Sequence, residues 1–463
     1  MTKPDGLRML ELADAIRGGK LTSSLAAAHC LQRIENYNDE LRAFIAVHAS
    51  SAMQRAGELD AGVMAGTAAG RLHGVPLAVK DLFQISGRAP SAGSMVYDDV
   101  ANQDADVIQR LHCAGAILLG TLNMDEFAAG GTGFNAHFGR CRNPWDPQRI
   151  TGGSSSGSAA AIAAGLVPAT LGSDTGGSAR VPAAYCGVTA IKPSYGRVSL
   201  KGVFPRAPPF DSPAPMARSV EECQALLAVI EGDSAGVPAL PTLDHARDQA
   251  RALRVGVSIR QFADGMHPDV ETCLGEATRV IASIAPGHIP VCLPDVDLMT
   301  GLHQAVVKSE GARIHREVLR TRAAGISLAA RGAIEAGLFL DPAAVGHALA
   351  VRAGVLTHFL STAFAEADVL LLPVTMSVAP RAEDVSQASA SDIVAFFAQS
   401  GRACRFVNYL GLPALSLPCG FVNGLPVGLQ LVGRPNREDQ LFALGRAYQH
   451  LTDFHLRTPP QFP

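Results

Sequence analysis

The chain has 463 residues, 48% of them hydrophobic and 17% charged, with a formal net charge of −3. That is ample for a large buried core, and a near-neutral balance with no basic block argues against a nucleic-acid partner or an anionic-membrane surface. Aromatics at 5% advertise no stacking platform for bases or sugars.

The opening "MTKPDGLRMLELADAIRGGKL" lacks the apolar run of a signal peptide, and no later stretch approaches 18 uncharged apolar residues. The nine cysteines are scattered without a CxxC, as expected for reduced thiols of a cytoplasmic protein. The histidines form no HExxH pair, so neither a metal nor another cofactor is expected.

In chain order, "MLELADAIRGGK" predicts a helix stopped by a glycine pair, and "SSLAAAHCLQRIENY" a second helix with serine at its N-cap. "HGVPLAVKDLF" is a β-type run, and "DVIQRLHCAGAILLGTLN" a helix feeding a strand. "SAAAIAAGLVPATLGSD" repeats that order, with the helix ending near Gly165. Ser219 and Glu222 form a capping box for "SVEECQALLAVIEG". "VPALPTLDHARDQ" reads as a polar connector, "LRVGVSI" and "ADVLLLPV" as buried strands, and "HPDVETCLGEATRVIASI" as a helix. Two strands flank the Asn423-Gly424 turn signal, and "NREDQLFALGRAYQHL" closes as a helix.

Strands interleaved with helices from residue 70 onward predict an α/β protein, one large domain around a mixed sheet. Its expected parts are a helical segment 1–68, a core 70–230, a variable insertion over roughly 231–365 and a core return over 366–455.

Three short stretches carry candidate chemistry. In "GVPLAVKDLF" the strand is apolar on both faces, so Lys80 enters the interior. From this segment alone Lys80 either snorkels from a strand end to water or lies desolvated, neutral and able to take a proton. "GSSSG" matches the G-x-S-x-G nucleophile elbow at Ser155, but the residues before it are rich in proline and charge where the elbow demands a buried strand. "SDTGGSAR" follows a strand and precedes a helix start, so the amides of Thr175, Gly176, Gly177 and Ser178 line one concavity fit for an oxyanion. Ser178 is thereby the nucleophile candidate.

"HGVPLAVKD", "NMDEFAAGGTGFNAHFGRCRNPWD", "TGGSSSGSAAAIAAGLVPATLGSDTGGSARVPAAYCGVTAIKPSYGRVS", "PMARSV" and "GLPALSLPCGFVNGLPVGLQLVGRP" together resemble the amidase signature family, in the same order and spacing. The resemblance implies that family's fold, a central mixed, twisted sheet flanked by helices. It also implies a Ser–cis-Ser–Lys triad: Ser178 as nucleophile, Ser154 as bridging serine after a cis bond from Gly153, and Lys80 as general base. Ser155 takes a supporting role, and Asp174 with Arg180 reads as an ion pair bracing the nucleophile loop. Ala128, Gly130 and Gly131 fall on the segment beside the acyl pocket.

The implied activity is hydrolysis of a linear carboxamide through an acyl-enzyme, with a small-molecule amide substrate and a homodimeric assembly common in the family. The family also holds the glutamine-hydrolysing A subunit of the glutamyl-tRNA(Gln) amidotransferase, which "MDEFAAGG" resembles, and that alternative brings partner subunits. A third reading is a non-catalytic partner subunit with the same fold, against which the intact Lys80, Ser154 and Ser178 argue.

Overall fold

The strands of the two helix-to-strand repeats read from the sequence join one sheet, one on either side of the strand that ends at Lys80. The computed structural model describes residues 4, 6–67, 70–232, 240–388, 392, 396 and 399–462. Its strands are β1 (Phe44–Val47), β2 (Pro76–Lys80), β3 (Ile117–Leu122), β4 (Arg142–Asn143), β5 (Asp146–Ile150), β6 (Ala169–Ser173), β7 (Thr189–Lys192), β8 (Pro213–Ala217), β9 (Val255–Val257), β10 (Ile289–Pro290), β11 (Val369–Pro373), β12 (Ala414–Val422) and β13 (Leu425–Gly433). Among the described residues eleven of them form a single mixed sheet in the order β1-β3-β2-β6-β8-β7-β12-β13-β11-β9-β10, while β4 and β5 pair separately.

Strand β2 runs parallel to both β3 and β6, and β6 runs antiparallel to β8. Every residue of β2, β3 and β6 is buried, as in strands covered on both faces. The Asn423-Gly424 turn closes β12 onto β13 with both residues at positive φ, the geometry of a two-residue hairpin. Helix Ser156–Ala163 is buried all round, its small side chains letting it sit beneath β2, β6 and β8.

Several expectations need correction. The second helix runs Ser23–Leu41, and Thr22 caps it by accepting the Leu25 N–H. The first 68 residues also hold β1, which pairs with β3. The stretch read as a polar connector contains helix Leu243–Arg251, because Thr242 accepts the His245 N–H and starts the helix; residues 237–239 of that stretch lie outside the described residues. The strand expected in "LRVGVSI" is β9, which runs parallel to β11 and to β10 at one edge of the sheet. All nine cysteines are free thiols, with Cys113 and Cys292 exposed. Among the described residues no single helix is long and apolar enough to cross a membrane.

Candidate active site

Parallel neighbours put their carboxyl ends at one edge of a sheet, where α/β folds build their sites. Lys80 is the last residue of β2, and Ser173 is the last of β6 beside it. Lys80 is fully buried, so the interior reading of its strand is the one realised. Its Nζ lies 2.7 Å from Ser154 Oγ, 2.8 Å from Ser173 Oγ and 3.2 Å from Ser155 Oγ.

Burial pushes the Lys80 ammonium down to about 7, against the upward pull of the Asp125, Asp174 and Asp211 carboxylates. A neutral amine has two N–H groups and one lone pair, so one of its three hydroxyl neighbours donates to it. Ser155 already donates to the Ser173 carbonyl at 3.0 Å and accepts the Ser173 N–H at 3.1 Å. The donor to Lys80 is therefore Ser154 or Ser173. Ser155 thereby ties the start of its own helix to the end of β6.

The cis bond expected before Ser154 is absent: the described backbone contains no cis peptide bond. Gly152 and Gly153 sit instead at φ +72° and +58°, two successive left-handed residues that turn the chain sharply. That turn delivers Ser154 to Lys80 through a trans link. A strand does precede "GSSSG", but β5 belongs to a small, partly exposed hairpin, so the elbow context is missing as expected.

The loop that carries the nucleophile candidate runs from β6 to helix Arg180–Cys186. Ser178 is half-buried at its tip, and its carbonyl accepts the Ser155 N–H at 3.0 Å. Among the described residues no hydrogen bond joins the Ser178 hydroxyl to Ser154 or Lys80; catalytic hydrogen bonds in unliganded sites commonly run long and tighten with substrate. The expected oxyanion cradle is narrower by one amide. Gly177, at φ +109°, gives its N–H to Asp174 Oδ1 at 2.8 Å and so cannot face substrate. Among the described residues the amides of Thr175, Gly176 and Ser178 have no acceptor.

Asp174 organises the whole turn. Its carboxylate takes the N–H groups of Gly177, Ala179 and Arg180, and it pairs with the Arg180 guanidinium at 3.0 Å, both side chains fully buried. Burial alone would raise its carboxyl, yet Arg180 and Asn408 hold it well below the usual carboxylate range. Arg180 also donates to Gln430 Oε1, Asn408 Oδ1 and the Cys404 carbonyl, tying the loop to β13 and to helix Arg402–Leu410. The pair is a brace, as its flanking positions predicted.

Of the expected substrate neighbours, Gly131 accepts the Gly153 N–H at 2.9 Å, which locks that segment to the serine turn. Ala128 sits half-buried at φ +54°, and Gly130 packs against Asp125, whose carboxylate lies 2.6 Å from where a Cβ would stand. Asp125 accepts the Thr132 and Gly133 N–H groups, and burial pushes its carboxyl up to about 7. Sequence reasoning missed Ser173, Asp125, Asp211 and His303. Asp211 accepts the Thr175 hydroxyl at 2.6 Å, and His303 Nε2 donates to the Thr175 carbonyl at 2.7 Å. For Ser173 the only available signal was its place in "GSDTGG"; the others come from segments whose pairing with the loop is not encoded locally. Among the described residues no group of three His, Cys, Asp or Glu side chains could hold a metal ion.

Comparison with known proteins gives one family, whose description is Amidase, matching residues 26–442. The chain is 37% identical over 489 residues to the A subunit of the glutamyl-tRNA(Gln) amidotransferase of Roseiflexus sp. (strain RS-1), covering 99% of each chain. A solved structure from work on a vestigial protein complex and the evolutionary origins of an s-triazine catabolic enzyme superposes with a TM-score of 0.87 at 31% identity, over 96% of this chain and 98% of that one. A crystal structure described as an amidase gives a TM-score of 0.86 at 32% identity, over 96% and 100%.

Proposed function

The chain belongs to the amidase signature family, and from that premise we propose that it hydrolyses a carboxamide C–N bond with Lys80, Ser154 and Ser178. The observation that carries this reading is the 2.7 Å contact between Ser154 Oγ and a lysine whose ammonium burial holds near 7. Neutral Lys80 takes the Ser154 proton as Ser154 takes one from Ser178. The Ser178 oxygen attacks the amide carbonyl, and the amides of Thr175, Gly176 and Ser178 meet the resulting oxyanion. The C–N bond breaks as the nitrogen receives the proton back through Ser154, releasing ammonia or an amine. Water, deprotonated by the same relay, then cleaves the acyl-enzyme.

A second reading takes the amide to be glutamine, with ammonia passed on inside an amidotransferase. The near-full-length identity to proteins named as its A subunit favours this second reading. The two separate in one assay. Purified protein is incubated with simple carboxamides and with glutamine, alone and with the remaining amidotransferase subunits, and ammonia is measured beside Ser178→Ala. Release from simple amides by the unaltered chain alone, lost in Ser178→Ala, is the outcome expected of a free-standing hydrolase. Release from glutamine only when partner subunits are added selects the amidotransferase. No release under any condition overturns both.

A further inference from the structure

Beside the nucleophile loop lies a set of buried polar atoms that the relay does not use. Among the described residues, Arg206 Nη1, His303 Nδ1 and His315 Nε2 have no hydrogen-bond partner, although all three side chains are more than nine-tenths buried. Buried donors and acceptors are nearly always satisfied, so each of these atoms is open to a partner of matching chemistry.

The three belong together. His303 lies on helix Val296–Ile314 and His315 follows its end. A Cβ placed at Gly311 of that helix would collide with Arg206 Nη1, so the guanidinium lies against the turn between the two imidazoles. Burial and the Arg206 charge both oppose protonation of His303 and His315.

The set also reaches the reacting loop. His303 Cε1 would stand 3.1 Å from a Cβ on Gly176, and its Nε2 donates to the Thr175 carbonyl. The Arg206 N–H donates to Asp211, the carboxylate that holds the Thr175 hydroxyl. On the other side, the His315 ring packs 4.2 Å from Phe127, the residue before Ala128.

Of the three atoms, Arg206 Nη1 and His315 Nε2 are the ones that suit an oxyanion. Asp211 is occupied by two backbone N–H groups and a hydroxyl, which leaves the Arg206 fork without an ion pair. The Tyr97 hydroxyl lies 3.0 Å from His315 Nδ1, and in the tautomer where that hydroxyl donates, Nε2 carries the ring proton and is a second donor. His303 Nδ1, its ring proton committed at Nε2, is an acceptor.

We propose that Arg206 and His315 form a subsite for a carboxylate on the substrate, so that the preferred amides carry an anionic end. The subsite rests on the reading of Ser178 and its loop as the place of amide cleavage, and it narrows that reading to carboxylate-bearing amides, glutamine included. A planar carboxylate matches the guanidinium fork, and charge-assisted bonds of this kind are about twice as strong as neutral ones. A site built for such a group rejects the analogue lacking it, because its donors are left unpaired.

The test is binding by calorimetry to Ser178→Ala, which cannot turn over ligand, using malonamate, succinamate and glutaramate against the neutral diamides of the same lengths. The expected result is that at least one acid binds roughly tenfold or more tightly than its diamide, that Arg206→Gln abolishes the preference and that Arg206→Lys restores part of it. Equal affinity for acid and diamide at every length, no binding of any, or a preference that survives Arg206→Gln would each overturn the proposal. The first comparison needs no change at Arg206, so a variant that fails to fold does not protect the idea. Carboxylate-dependent binding by a protein whose unaltered form releases no ammonia would sink the hydrolysis reading and leave the subsite standing. Turnover with no preference for the acids would do the reverse.

Discussion

Two lysines end two strands of the same sheet, Lys80 on β2 and Lys192 on β7. Both are buried, and burial pushes both ammonium groups down to about 7. Their surroundings differ in kind. Lys80 faces three serine hydroxyls, two of which, Ser154 and Ser173, are able to give it a proton. Lys192 donates to the Pro193 carbonyl at 2.7 Å, an oxygen with no proton to return. A depressed amine therefore records burial, and what makes a base is the chemistry of the atom 3 Å away.

The largest effect expected follows from that contrast. Lys80→Met should lower kcat for ammonia release by roughly 10²–10⁴, the usual contribution of a positioned general base. Lys192→Met should leave kcat near the wild-type value and act on stability alone, since it removes a desolvated amine together with its one bond to the Pro193 carbonyl. Steady-state kinetics and thermal melts on both variants decide it. Equal losses of kcat would break the distinction between the two strand ends.

Next in size is the brace. Asp174→Asn keeps the shape of the turn but leaves the Arg180 guanidinium buried without its counter-charge. Breaking such a pair typically costs about 3–5 kcal/mol. Urea unfolding should show a loss in that range, with activity falling as well, because the same carboxylate holds the Gly177, Ala179 and Arg180 N–H groups that shape the loop around Ser178. A loss below about 1 kcal/mol would make the pair an ornament of the loop rather than its support.

What the sequence made legible was local. The interior place of Lys80 followed from a strand apolar on both faces, and the concavity at "SDTGGSAR" from a strand-to-helix corner rich in glycine. Asp174 and Arg180 were legible as a pair because they flank that corner. The illegible parts depend on pairing between distant segments. Ser173 reaches Lys80 only because β6 lies parallel to β2, and Gln430 and Asn408 reach Arg180 from more than 200 residues away. The cis bond and the fourth cradle amide were misjudged for a different reason. Each depends on single backbone dihedrals and on one acceptor, Asp174 Oδ1, which composition and spacing do not report.

The smallest expected effect sharpens the lysine contrast most. On the proposed mechanism Lys80 is a base only when neutral, so kcat/KM should fall tenfold per pH unit below about 7 and level off above it. A hydroxyl oxygen beside Nζ favours the ammonium over the amine, as does the Asp125 carboxylate. Ser173→Ala and Asp125→Asn each remove one such support, which lowers the amine pKa further and moves the acid limb to lower pH. The shift should be of order 0.5–1 unit, read from the pH dependence of kcat/KM. A shift to higher pH would mean that water entering the gap relieves the burial of Lys80. Desolvation would then no longer be the dominant influence on that amine, and Lys80 would cease to be comparable with Lys192 at all.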